Sequence, residues 1–194
     1  MIEEIIEREW AFFDQVQHID GRAACQDDFE TFQIQRTAQF KAYNHDTLAS
    51  YLQDLRTYKK MGYNPMMLKY ARMMETSDPE YYQTIKEQLP PINAMTSQLI
   101  EAIVSIEVTM REEFNELYPS FAKKVRVTHT SEDEKDSVSF ETYLRGELST
   151  YSSRTLYLYG QMIVHMANQN ENMIIKIQEE TVKAYGYQSL EDVS

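Results

Sequence analysis

The sequence predicts an all-α protein: a single-domain helical bundle of about eight helices, with one long loop near 120–138. Three observations predict it. Five Gly and five Pro stand against fourteen Tyr, eleven Met and eight Phe, a composition suited to long helices with bulky packing and short of tight turns. Apolar residues recur three and four apart through most of the chain, and helix-starting residues punctuate those runs.

The elements follow in order. The first helix, over 2–18, carries the stripe Ile2, Ile5, Phe12, Val16, with Ile6 and Phe13 beside it. A second, over 28–43, starts from Asp27 or Asp28 as N-cap. Helices over 47–61, 65–76 and 79–88 come next. Asn64-Pro65 and Asp78-Pro79 each read as an N-cap followed by proline at the first helical position, where its missing N–H costs nothing. Pro90-Pro91 opens a helix over 92–118 that stops before Pro119. Ser139 caps a run over 139–168 that can break near Tyr151, and Gly186 closes a last helix over 171–185. The stretch between, with VRVTHTSEDEKDSVS, is a loop with room for a short strand. Segments 92–108 and 156–166 are apolar on nearly every side, which predicts central helices.

At 194 residues the chain is long enough for one domain, 1–194, with a substantial core. The net charge of −12 disfavours nucleic acid and anionic membranes. The one basic patch, Lys123, Lys124 and Arg126, is followed at once by the acidic stretch from Glu132 to Asp136. Cys25 is the sole cysteine, so no intramolecular disulfide can form and a reducing compartment is expected. No apolar run approaches the roughly 20 residues that span a bilayer, and the acidic start MIEEIIEREW lacks the features of a signal peptide. A cytoplasmic location is the expectation. A homodimer is compatible with an acidic chain rich in Tyr and Met, although no uninterrupted heptad seam requires one.

Three ionisable residues break the apolar stripes. At about 100° per residue, Glu9 falls at the centre of the first stripe. Arg36 lies in the middle of the face formed by Phe29, Phe32, Phe40 and Tyr43, flanked by Gln33 and Gln39. Glu147 falls within the face of Phe140, Leu144, Leu148 and Tyr151. Burying an isolated charge costs several kcal/mol, so each needs a partner, a ligand or a proton. Two readings stay open. Glu9 or Glu147 pairs with Arg36 inside the core, or the three line a polar pocket in which a desolvated carboxylate does acid/base work and arginine anchors an anion. Dimetal bundles place Glu-x-x-His on two helices. Here Glu107 is followed three on by Met110 and Glu147 by Thr150, so no metal site is expected, and His165 reads as a hydrogen-bonded core residue.

Two further polar blocks stand out. After an Asp20-Gly21 turn come Arg22, Cys25, Gln26, Asp27 and Asp28, where Arg22 and a helix N-terminus could hold an anion, although two aspartates already occupy that positive end. Cys25 reads as structural, because adjacent carboxylates disfavour its thiolate and only His18 could act as a base. In SFETYLRGELSTYS, Glu141 and Arg145 form an i,i+4 pair, and the mid-helix Gly146 suggests close packing or ligand approach. Arg72 and Glu75 read as a solvated i,i+3 pair. Gly-rich phosphate loops are absent.

The segments GRAACQDDFETFQIQRTAQF, KYARMMETSDPEYY and TSEDEKDSVSFETYLRGELSTYS resemble the signature segments of an uncharacterised bacterial family, domain of unknown function 4125. The resemblance runs from EWAFFDQV to YGYQSLED, with one departure at Gln35, where the family is expected to carry methionine. It implies no activity or cofactor. It does imply a common site built from Arg22–Asp28, Arg36, Arg72–Glu75, Thr130–Asp133 and Glu141–Glu147. The leading expectation is an enzyme for a small anionic metabolite, with Arg22, Arg36 and Arg145 binding the anion and Glu9 or Glu147 as general base or acid. Cys25, Gln26, Asp27, Asp28, Gln39 and Glu141 would complete the pocket. The alternative is a non-catalytic ligand-binding or protein-interaction bundle whose charges form a closed core network.

Overall fold

The computed structural model describes residues 1–17, 21–135 and 137–193. His18, Asp20 and Asp136 lie outside the described residues, and with them the Asp20-Gly21 turn and the candidate base for Cys25. The described residues form ten α-helices and no strand: α1 Ile2–Phe13, α2 Phe29–Lys41, α3 His45–Met61, α4 Pro65–Ser77, α5 Pro79–Ile85, α6 Ala94–Leu117, α7 Pro119–Ala122, α8 Phe140–Leu148, α9 Ser153–Asn168 and α10 Met173–Ala184. None is long and apolar enough to cross a membrane.

Side-chain caps set most of the starts. Asp28, Asn44, Asn64, Asp78, Asn93, Ser139, Ser152 and Asn172 each accept a hydrogen bond from the first turn of the helix that follows. Each satisfies a backbone N–H that has no partner within its helix. The break expected near Tyr151 is real, because Ser152 caps a new helix there. The first helix ends at Phe13, short of the expected 18. Side chains from elsewhere take the carbonyls at its end and just beyond it: Asn64 donates to Phe12, Gln26 to Phe13 and Val16, and Arg22 to Asp14. The long loop holds α7, a 3-10 turn over Thr130–Glu132 and a single antiparallel bridge between Glu134 and Ser137.

The 24-residue α6 is the spine and packs on α8, α9 and α10. In turn α10 covers α2, α3 lies on α9, α4 on α8, and α1 closes the bundle against α2, α3 and α4. Helices α6 and α9 are less enclosed than the sequence suggests. The neighbours of α9 are chiefly α3 and α6, so Tyr157 and Val164 on its outer side remain about half exposed, at 57% and 46%. The core includes Ile5, Phe40, Leu55, Ile103, Phe114, Leu148, Leu156, Tyr159 and Ile163, all essentially inaccessible.

Gly146 lets α4 and α8 approach closely. A Cβ there would lie 2.7 Å from Met73 Cγ and 3.2 Å from the Lys69 carbonyl. Gly146→Ala trades a gain in helix propensity of about 1 kcal/mol for an overlap that, with a backbone carbonyl on one side, costs about 2–3 kcal/mol, so a net loss of about 1–2 kcal/mol and a drop of about 2–8 °C in melting temperature are expected. Thermal melting by circular dichroism checks this, and an unchanged or higher melt would mean that the two helices are free to separate.

Candidate functional site

Helices α1, α2 and α8 turn Glu9, Arg36 and Glu147 toward one another, at 0%, 7% and 5% exposure. Arg36 grips Glu9 with two bonds, Nε to Oε2 at 2.7 Å and Nη2 to Oε1 at 2.6 Å. It reaches Glu147 more loosely, with Nη2 to Oε1 at 3.2 Å and Nη1 to Oε2 at 3.4 Å. Lys69 of α4, 3% exposed, donates to Glu147 Oε2 at 2.7 Å. Two carboxylates thus face two cations, and the group is neutral overall. Gln39 accepts from Arg36 Nη1 and donates to Glu147 and to the Tyr43 hydroxyl. Tyr51 donates to Glu9 at 2.6 Å.

Burial and charge pull in opposite directions here. Burial favours the neutral form of Glu147, but Arg36 and Lys69 outweigh it and hold the carboxyl well below the usual range. Burial likewise opposes the charges of Arg36 and Lys69, and the facing carboxylates more than restore them. Around the network lie Tyr43, Tyr51, Tyr151 and Tyr159, with ring centroids 5.0–5.8 Å apart. Burial first, then the nearby carboxylates and, for Tyr151, the neighbouring Tyr43 push these phenols up, so they stay neutral. Tyr159 donates to Glu107 of α6 at 2.8 Å. Glu107 makes no ion pair among the described residues, and burial pushes its carboxyl up to about 8, moderated by the Tyr159 bond and reinforced by Glu147.

The other expected site residues fall in two separate places. In the 22–28 block, Arg22 donates to Asp27 at 2.8 Å, to Asp14 at 2.6 Å and to the carbonyls of Asp14 and Gln26. Gln26 is buried under the end of α1, Asp28 caps α2 and Cys25 is exposed. This block seals a helix end. Arg145 grips Glu101 with two bonds of 2.8 and 3.0 Å, and also donates to Glu141 at 2.8 Å and to the Thr130 hydroxyl. It lines a cleft of about 150 Å³ between α4, α6 and α8, together with Arg72, Glu75, Thr76, Glu101 and Thr142. Hydroxyls link the cleft to the long loop: Thr142 donates to Asp133 at 2.6 Å and lies within 3.3 Å of the hydroxyls of Thr76 and Thr130. Of the five blocks expected to share a site, 72–75 and 141–147 contribute to the lining of this cleft and 130–133 is bonded to its residues. Arg72 does not pair with Glu75; it donates to the Pro90 carbonyl instead.

The structure adds residues that the stripes could have revealed. Lys69 sits between Met66 and Met73, and Glu107 between Ile103 and Met110, each on a buried face. Arg111, 4% exposed, is a further buried charge on α6. It gives Nη2 to the Arg126 carbonyl and rests against Phe114 and Phe140, and burial draws its pKa down. No group of three or more His, Cys, Asp or Glu among the described residues is placed to hold a metal ion.

The pH dependence follows from the signs. Glu107 is raised from 4.5 to about 8, so it contributes stability that is fully present below about pH 4.5 and is lost as pH rises toward 8. Glu147 is depressed, so its contribution is present above the ordinary carboxyl range and is lost as pH falls. Glu107→Gln is expected to flatten the decline in melting temperature between about pH 5 and pH 8 and to raise the melt at the alkaline end. Melting across that window decides it; a variant that loses stability as steeply as wild type contradicts the assignment.

The sequence matches, over residues 1–194, the model of a family described as "Protein of unknown function (DUF4125)". No curated protein and no solved structure matches it. With the match covering the whole sequence, the chain belongs to the DUF4125 family.

Proposed function

We propose that the protein is a non-catalytic, small-molecule-binding helical domain in which Glu9, Arg36, Glu147 and Lys69 are a fixed internal frame. The observation that supports this reading is the closure of Arg36: all three guanidinium nitrogens have acceptors on Glu9, Glu147 or Gln39. An anion would have to displace a buried carboxylate to reach it. A general acid or base must come within hydrogen-bond reach of its substrate, directly or through one water. Arg22 and Arg145 are likewise engaged by their own carboxylates. An enzyme for a small anionic metabolite, with these arginines as anion ligands and Glu9 or Glu147 as acid or base, would need the network to open.

The two readings differ in what neutralising a carboxylate does. As parts of a frame, Glu9→Gln and Glu147→Gln each strand buried positive charge and cost about 3–5 kcal/mol. A strained catalytic carboxylate gives little loss or a gain. Urea unfolding of both variants distinguishes the two, and the frame is abandoned if both unfold at the wild-type midpoint. Native mass spectrometry of the purified protein tests binding itself, through retention of a small molecule.

A further inference from the structure

We infer, resting on the binding reading above, that the cleft between α4, α6 and α8 takes a small amino-acid zwitterion, with its carboxylate on Arg72 and its ammonium on Glu75. Four charged side chains line this cleft. On one wall Arg145 and Glu101 satisfy each other with a two-bond contact. On the other wall Arg72 and Glu75 are uncommitted. Arg72 gives a single hydrogen bond, to the Pro90 carbonyl, and makes no ion pair among the described residues. Glu75 is exposed and makes neither an ion pair nor a hydrogen bond among the described residues.

These two stand one helical turn apart, where side chains of opposite sign ordinarily meet. Here they do not meet, so one charge of each sign is left facing the same cavity. A carboxylate binds guanidinium through charge-assisted hydrogen bonds, and an ammonium donates to a carboxylate in the same way. A molecule that carries both groups on one carbon answers both at once. A lone anion or a lone cation would meet its opposite on one residue and its own sign on the next. Size sets the rest. A cavity of about 150 Å³ is the volume that holds a benzene-sized guest, about six non-hydrogen atoms. Glycine and alanine fit that limit and serine exceeds it by one atom, while Ile100 in the lining suits a short aliphatic side chain. Aromatic amino acids exceed it.

Isothermal titration calorimetry of the full chain with L-alanine, glycine and L-serine tests the assignment. Saturable binding is expected, with propionate, which lacks the ammonium, and alaninamide, which lacks the carboxylate, at least about tenfold weaker. Arg72→Ala and Glu75→Gln are each expected to weaken alanine binding by a similar factor with unchanged helicity and melting. Ser149→Leu, which fills the cleft, is expected to abolish it. The proposal is overturned if none of the three amino acids gives saturable heat, if Arg72→Ala and Glu75→Gln bind alanine like wild type, or if L-tryptophan binds as tightly as alanine. Should the amino acids fail while native mass spectrometry retains a different small molecule, this assignment falls and the binding reading stands. Should Glu9→Gln and Glu147→Gln cost no stability, the frame falls and the titration still decides the cleft.

Discussion

The two-bond grip of Arg36 on Glu9 is the interaction around which the rest is arranged. It joins α1 to α2, and through Glu147 and Lys69 the same cluster extends to α8 and α4. Taking such charges out of water carries a penalty that only close geometry and additional hydrogen bonds offset. Gln39 and Tyr51 supply those bonds, and the ring of buried tyrosines keeps further donors close without adding charge. An apolar core resists sliding through the fit of its side chains alone. A core holding four charges resists it further, because a slip separates opposite charges inside a poorly polarisable medium. The network thus fixes the rotation of four helices about their own axes.

That constraint also shapes the cleft. Glu147 points inward from α8, while Thr142 and Arg145 on the same helix and Ser149 at its C-cap line the cleft. Gly146 sits between the two sides and lets α4 come close enough for Lys69 to reach Glu147 and for Arg72 to face the opening. Ion pairing inside the bundle and the placement of uncommitted charge outside it are therefore two results of one close helix contact. The hydroxyl chain through Thr142 to Asp133 holds the long loop at the same edge.

Much of this was legible in the sequence because the chain marks its own helix starts. Asn64-Pro65, Asp78-Pro79 and Ser139 do in three dimensions what their chemistry predicts, and a cap is a local event that needs no knowledge of the fold. Glu9, Arg36 and Glu147 were visible as charges on apolar stripes, and they meet. Lys69 and Glu107 carry the same mark, each on a buried face between apolar neighbours, although Arg72 and Glu75 give the helix around Lys69 the look of a solvated surface. The tyrosines could not be picked out, since a tyrosine on a buried face looks like ordinary core until its hydroxyl is located. The separation of the 22–28 block from the cleft was equally hidden. Sequence gives each block its charge, but only the path of the backbone shows that Gln26 turns back beneath α1.

The span of the network has a consequence for how the chain comes into being. Arg36 and Glu147 are 111 residues apart, and Lys69 and Glu147 are 78 apart. A nascent chain that has left the ribosome only as far as α7 holds Arg36, Lys69 and Glu9, two positive charges against one negative, with nothing to answer Lys69. Closing that half would trap an unmatched ammonium, so its helices gain little by docking early. The charges buried on α2 and α4 are balanced only when α8 supplies Glu147, so a truncation before α8 removes a structural counter-charge rather than trimming an appendage.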